Sequence, residues 1–161
     1  MKRLLGVLAL VVALPVMADS CGPPAGSSSS APAVTKVSVG TAMKSSEGLS
    51  VTVASFKRNV AAPDFVTLPA GKECVQVNYV LVNGSKSEWS APTIELKLVD
   101  ANGQTYDTLA FECPNGDNVS SLVASGHANA TEYYEVPKGI ALAVVWQPDI
   151  FASATFQTPL T

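Results

Sequence analysis

The sequence predicts an all-β protein, an antiparallel β-sandwich of seven to nine strands, and three observations carry that prediction. From Val34 onward apolar and polar residues alternate with period two, and no window shows an apolar stripe at helical spacing. Turn signals punctuate the chain at roughly ten-residue intervals. Only 14% of residues are charged, while 11 Gly and 11 Pro are spread over 161 residues, so there is little to solvate exposed helix faces and much to make turns. A hydrophobic content of 47% excludes a disordered, coiled-coil or nucleic-acid-coating chain.

The first segment is an address. Lys2 and Arg3 supply a positive start and Leu4 to Val16 an apolar run ended near Pro15, the layout of a secretory signal peptide over residues 1–20. The run is too short for a membrane span, which needs about 20 apolar residues. Two cleavage readings stand side by side. Cutting after Ala18 would leave Asp19 as the new N-terminus; alternatively Ala18-Asp19-Ser20-Cys21 is a lipobox and Cys21 is lipidated as residue one. Ala18 and Asp19 are unusual in a lipobox. The Gly-Pro-Pro-Ala-Gly-Ser-Ser-Ser-Ser stretch after Cys21 favours it, because residues 21–33 then read as a flexible tether. The folded domain is expected over 34–161.

Three cysteines make an odd number. Lipidation of Cys21 would leave Cys74 and Cys113 as an even pair, a disulfide that suits an exported chain; a dimer through Cys21 would satisfy parity equally. A zinc site has little support, since His127 is the sole histidine and no paired-ligand spacing is present. No metal and no cofactor are expected.

The strands follow in order. Val37 and Val39 alternate with polar residues, as do Leu49, Val51 and Val53 in GLSVTVASF. Lys57 to Lys72 reads as a long inserted loop. In CVQVNYVLVNGS, Val75, Val77, Tyr79 and Leu81 share one face and Gln76 and Asn78 the other, ahead of an Asn83-Gly84 turn. Ile94, Leu96 and Leu98 lead through Asn102-Gly103 into Gln104 to Leu109, a hairpin. Asn129 to Val136 and Ile140 to Trp146 flank the turn Pro137-Lys138-Gly139, and Ala152 to Gln157 closes the set. The inward residues of 75–81, with Ile94, Leu96, Leu98, Leu142, Val144 and Trp146, are the predicted core between two sheets.

GLSVTVASF, VQVNYVLVNGS, IELKLVDANGQTY and YYEVPKGIALAVVWQP occur in an order that resembles a set of exported Gram-positive and actinobacterial proteins. These are mostly lipoproteins with a domain of unknown function, similar in fold to a mycobacterial secreted immunogenic protein. The resemblance runs from about Val34 to Pro148. It implies an immunoglobulin-like (telokin-like) sandwich and an extracytoplasmic, often membrane-anchored address. It transfers no catalytic residue.

Candidate chemistry is sparse. Ser125 and His127 could suggest a nucleophile and its base, but neighbours two apart on a strand stand about 7 Å apart, so a loop histidine is the simpler reading. Asp100 to Asp107 departs from a calcium loop, with Gly103 at the fourth position and no Glu at the twelfth. Glu132 and Glu135 have opposite strand parity, and Glu112 and Asp117 lie in a Pro- and Gly-rich stretch. Asn83-Gly-Ser, Asn118-Val-Ser and Asn129-Ala-Thr match the glycosylation pattern, which carries little weight behind a bacterial type of leader. Trp146 closes an apolar strand and belongs in the core, whereas Trp89, after a Lys-Ser-Glu stretch, is read as partly exposed and as the partner-binding candidate.

Net charge is −3, falling to −4 once Lys2, Arg3 and Asp19 leave with the signal peptide, and no basic cluster exceeds Lys57-Arg58. Nucleic acid is therefore not an expected partner. The leading expectation is a non-enzymatic extracytoplasmic module that binds an envelope or extracellular protein through a sheet edge or the loops at one end, with the membrane reached through Cys21. The alternatives are a phage-type superinfection-exclusion lipoprotein that masks an envelope receptor, and a small-ligand carrier or hydrolase.

Overall fold

The alternation in CVQVNYVLVN builds one of the two longest strands among the described residues and fixes which face of it meets the core. The computed structural model describes residues 33–90, 95–108, 112–117, 119–148 and 154–161. The proposed signal peptide, Cys21 and nearly all of the tether lie outside these residues, as do Ile94, Leu109, Asn118 and Ala152.

In chain order the strands are β1 (Ala33–Lys36), β2 (Ala42–Lys44), β3 (Leu49–Val60), β4 (Lys72–Asn83), β5 (Trp89–Ser90) and β6 (Leu96–Asp100). They continue with β7 (Thr105–Tyr106), β8 (Ser121–Leu122), β9 (His127–Pro137), β10 (Leu142–Trp146) and β11 (Ala154–Leu160). One sheet has the order β2-β3-β4-β9, the other β1-β11-β10-β6-β7, and β5 and β8 form a small ladder. The chain passes from the first sheet to the second between β4 and β6 and again between β9 and β10. The result is an immunoglobulin-like sandwich.

Two features of this architecture differ from expectation. Eleven strands among the described residues exceed the seven to nine predicted, because β2, β5 and β8 are only two or three residues long and carry no readable alternation. The sandwich is also not wholly antiparallel. β1 pairs in parallel with β11, Ala33 opposite Ala154 through Lys36 opposite Gln157, and this places Ala33 in a strand rather than in the tether.

Every predicted core residue that lies among the described ones is buried. Val75, Val77, Tyr79 and Leu81 of β4 are buried, and so are Leu96, Leu98, Leu142, Val144 and Trp146 of the facing sheet. Trp146 stacks on Phe156 with ring centroids 5.6 Å apart. Each such side chain contributes about 1.5–3 kcal/mol of transfer free energy.

β3 does not stop where its alternation fails. Leu49, Val51 and Val53 face inward at odd positions, and the register then shifts between Val53 and Ser55. This bulge switches parity, so Phe56, opposite Val77, packs against the core and Arg58 follows it inward. Lys57 to Val60 are thus strand, and the expected Lys57–Lys72 loop contracts to residues 61–71. The Asn102-Gly103 hairpin forms as expected, with β6 and β7 paired at Leu98–Tyr106 and Val99–Thr105. Its second strand is shorter than predicted.

Candidate functional site

The end of the sandwich that carries residues 61–71 is the most distinctive polar and apolar surface of the described residues. AAPDFVTLPAG holds two prolines, which cannot donate to a sheet ladder, and a single charge, Asp64. The Val66 N–H donates to the Pro63 carbonyl at 2.8 Å and closes a turn with Asp64 and Phe65 at its tip. Phe65 is 88% exposed. A second turn, Lys72 N–H to Pro69 O at 3.1 Å, uses Gly71 at φ 82°, a left-handed conformation that glycine adopts freely.

A buried ion pair anchors the base of this loop. Glu73 is 2% exposed, and it accepts from Arg58 Nε at 3.0 Å, from a terminal guanidinium nitrogen of Arg58, from the Asn59 N–H at 3.2 Å and from the Gly139 N–H at 3.4 Å. Arg58 also donates to the Ile140 carbonyl at 2.8 Å. Asn59 takes the left-handed conformation (φ 53°), which Asn tolerates well, and turns its N–H to the carboxylate. The Lys138 N–H donates to the Gly71 carbonyl at 2.9 Å, and Lys72 pairs with Glu135 at 3.3 Å. Strands β3 and β4 and the β9–β10 turn are therefore joined beneath the loop.

One register step along β4, Cys74 forms a disulfide with Cys113, with Cα atoms 5.7 Å apart. Alternation along β4 turns Cys74 to the face opposite Glu73 and Val75. The bond holds the segment 112–117 against the edge strand β9. There the Asp117 N–H donates to the Thr131 carbonyl at 2.7 Å, and the Asp117 carboxylate accepts the Thr131 N–H at 2.9 Å. Gly116 is required by this approach, since a Cβ would lie 2.3 Å from the Thr131 carbonyl oxygen. Within the sandwich the Glu132 carboxyl accepts from the Tyr79 hydroxyl at 2.8 Å and from the Tyr134 hydroxyl. Burial, reinforced by Glu132, pushes both phenols well above their usual range.

The structure corrects the reading of Trp89. It is 8% exposed and packs with the core, and its indole N–H donates to Ser85 Oγ at 3.1 Å. The polar residues before it form the wall that covers it. Ser85 is in turn held by Asn83, which is fully buried: Asn83 donates to the carbonyls of Ser87, Leu122 and Val123 at 2.7–3.0 Å and accepts from Ser85 N–H and Oγ. Asn83 thus caps the sandwich from inside. Trp89 shows only its rim to an open cleft of about 400 Å³ lined also by Glu47 and Glu88.

The remaining candidates lie apart. His127 opens β9 instead of sitting in a loop, and is exposed, while Ser125 precedes it in the left-handed conformation. Glu132 points inward to the two tyrosines and Glu135 outward to Lys72, so parity separates them as expected. Asp100 serves its own hairpin. Desolvation pushes its carboxyl up, but the N–H groups of Gln104 and Asn102 and the Tyr106 hydroxyl outweigh this and lower it. No group of three His, Cys, Asp or Glu among the described residues is placed to hold a metal.

Neither Phe65 nor the Arg58–Glu73 pair stands out as a candidate in the sequence pattern. The signal for the first was an aromatic between two prolines in an almost uncharged segment. For the second there was none, because the parity switch at Ala54 cannot be read from alternation.

Solved structures share the fold. An uncharacterized β-sandwich protein from Clostridium difficile matches with a TM-score of 0.51 at 12% identity, over 80% of this chain and 95% of its own. The secreted protein MPT63 from Mycobacterium tuberculosis gives 0.55 at 10% identity, over 78% of this chain and 98% of that one. The candidate lipoprotein ycdA from Bacillus subtilis gives 0.55 at 15% identity, over 73% of this chain but 38% of its own length. No family model and no curated protein matches the chain. At these identities the likeness establishes one thing, that this chain is a β-sandwich of the kind found in those proteins.

Proposed function

We propose that this protein is a non-enzymatic extracytoplasmic binding module, held at a membrane by lipid on Cys21, that engages a protein partner through the 61–71 end of its sandwich. The observation that carries the binding role is Phe65, exposed at the tip of a loop whose base is locked by the buried Arg58–Glu73 pair. Aromatic side chains, Phe among them, are enriched at the buried centres of protein interfaces. The Cys74–Cys113 disulfide supports the address, because such bonds persist in oxidising compartments. A secreted protein and a candidate lipoprotein among the structural neighbours agree with it. The signal-peptide layout and the Gly-Pro-Ser tether supply the route and the spacer.

The test is fractionation of cells expressing the full chain, followed by chemical crosslinking of the envelope. The expected result is a membrane-associated protein that Cys21→Ser releases, and a discrete crosslinked complex heavier than the monomer. A soluble, uncomplexed chain indifferent to Cys21→Ser would overturn the proposal.

A further inference from the structure

Resting on the binding role above, we infer that Phe65 inserts into an apolar pocket on a protein whose pocket rim is basic, on the side of the domain that faces away from the lipid. Three observations lead there. The first is composition at the tip: Phe65 is 88% exposed, Val66 and Leu68 flank it half-buried, and Asp64 is the sole charge from Ala61 to Gly71. An aromatic with an adjoining carboxylate fits a pocket that buries the ring and offers a cation beside it.

The second is preorganisation. The loop is closed by its own two turns and tied at its base to β3, β4 and the β9–β10 turn. Little backbone freedom then remains to be lost on docking, which is where flexible loops forfeit affinity.

The third is direction. Ala33, where the chain enters the sandwich, pairs with Ala154 at the start of β11, whereas the far end of β11, Leu160, pairs with Leu142 just after the turn that is bonded to the loop base. Entry point and loop are therefore at opposite ends, separated by at least the six-residue rise from Ala154 to Leu160, about 20 Å. A Gly- and Ser-rich linker of eleven residues, the length of 22–32, has a root-mean-square span of about 18 Å. A lipid on Cys21 would thus hold the Ala33 end near its bilayer and present Phe65 outward. That geometry and Asp64 at the tip favour a protein pocket over the phospholipid of the same membrane.

The test places a photoreactive benzoylphenylalanine at position 65 of the full chain in its native cells, with Val123, an exposed residue near Asn83 at the opposite end of β4, as the control position. The captured protein is then purified and its affinity measured for the unmodified chain and for Phe65→Ala, Asp64→Lys, Asp64→Asn and Val123→Ala. The expected result is a protein adduct from position 65 and not from 123. Affinity should fall at least tenfold for Phe65→Ala and Asp64→Lys, lose much of its salt dependence for Asp64→Asn, and hold for Val123→Ala. Because Phe65 is exposed, its removal should leave the thermal midpoint unchanged, which separates lost docking from lost folding.

Vesicles of phosphatidylethanolamine and phosphatidylglycerol, mixed with the unlipidated mature chain, should bind neither wild type nor Phe65→Ala. Phe65-dependent vesicle binding, a lipid-only adduct, an adduct to a second copy of this chain, or equal affinity for wild type and Phe65→Ala would each overturn the docking inference. If a complex forms at full strength without Phe65, the binding role survives and this surface is wrong. If no complex forms with any variant, the binding role itself fails.

Discussion

Replacing Glu73 by Gln keeps the shape of the side chain and removes its charge, so it isolates what the buried ion pair contributes. In the native protein the carboxylate accepts two guanidinium nitrogens and two backbone N–H groups, and almost no water reaches it. A Gln amide has one acceptor oxygen, and its NH₂ must face either Arg58 or the N–H groups of Asn59 and Gly139. Breaking a buried pair from one side costs about 3–5 kcal/mol. The Arg58 side chain keeps 26% of its exposure, which lets water recover part of its solvation and puts the expected cost near the lower bound, about 3 kcal/mol. At about 2.1 cal/mol/K per residue, a domain of about 130 residues has an unfolding entropy near 0.27 kcal/mol/K, so the melting midpoint should fall by about 11 °C.

The assay is thermal and urea denaturation of the mature chain, with Arg58→Met, Glu73→Leu and the double variant Arg58→Met/Glu73→Leu alongside. Apolar replacement of both partners should recover most of the loss, since no uncompensated charge is left inside. Hydrogen exchange at Lys72 and Lys138, whose N–H groups close the loop base, should accelerate in Glu73→Gln. A midpoint shift under about 2 °C, or single-variant costs that simply add in the double, would refute the view that this pair organises the loop.

Three further outcomes follow from the same contacts. Reducing the Cys74–Cys113 bond, or replacing both cysteines with Ala, removes a cross-link closing a loop of about 40 residues; the chain-entropy model sets the loss near 4 kcal/mol, to be read from the urea midpoint with and without reductant. Asn83→Asp turns a carboxylate toward the carbonyls of Ser87, Leu122 and Val123 and should cost about 3 kcal/mol or more in the same measurement. Tyr79 and Tyr134 have folded pKa values raised above the unfolded value of about 10, so the stability tied to their neutral phenols is full below pH 10 and is lost as pH rises beyond it. Phenolate absorbance of these two residues should therefore grow together with loss of native circular dichroism in alkali, and phenolate growth in a fully native protein would contradict their burial.

The sandwich was legible because alternation reports burial directly along Val75 to Leu81 and Leu96 to Leu98, whereas Leu142 to Trp146 is apolar throughout and buries Ala143 as well as Leu142, Val144 and Trp146. The turns at Asn102-Gly103 and Pro137 to Gly139 were legible for an equally local reason, the backbone preferences of Gly, Asn and Pro. What escaped was non-local. The extra residue between Val53 and Ser55 of β3 reverses parity, so Arg58 goes inward from a position that reads as solvated. Glu73 looks like an ordinary surface carboxylate until the guanidinium that meets it is in place. Trp89 read as exposed because its sequence neighbours are polar, and those neighbours, through Ser85 and Asn83, are what bury it. The parallel β1–β11 pairing depends on two segments more than a hundred residues apart and has no local signature.

Export, lipid attachment at Cys21 and oxidation of the Cys74–Cys113 pair are tested together by intact mass of the mature protein before and after reduction. The predicted result is a chain that begins at a diacylglycerol-modified Cys21 and gains about 2 Da when the Cys74–Cys113 bond is reduced. An unmodified chain beginning at Asp19, or one whose mass is unchanged by reductant, would contradict it.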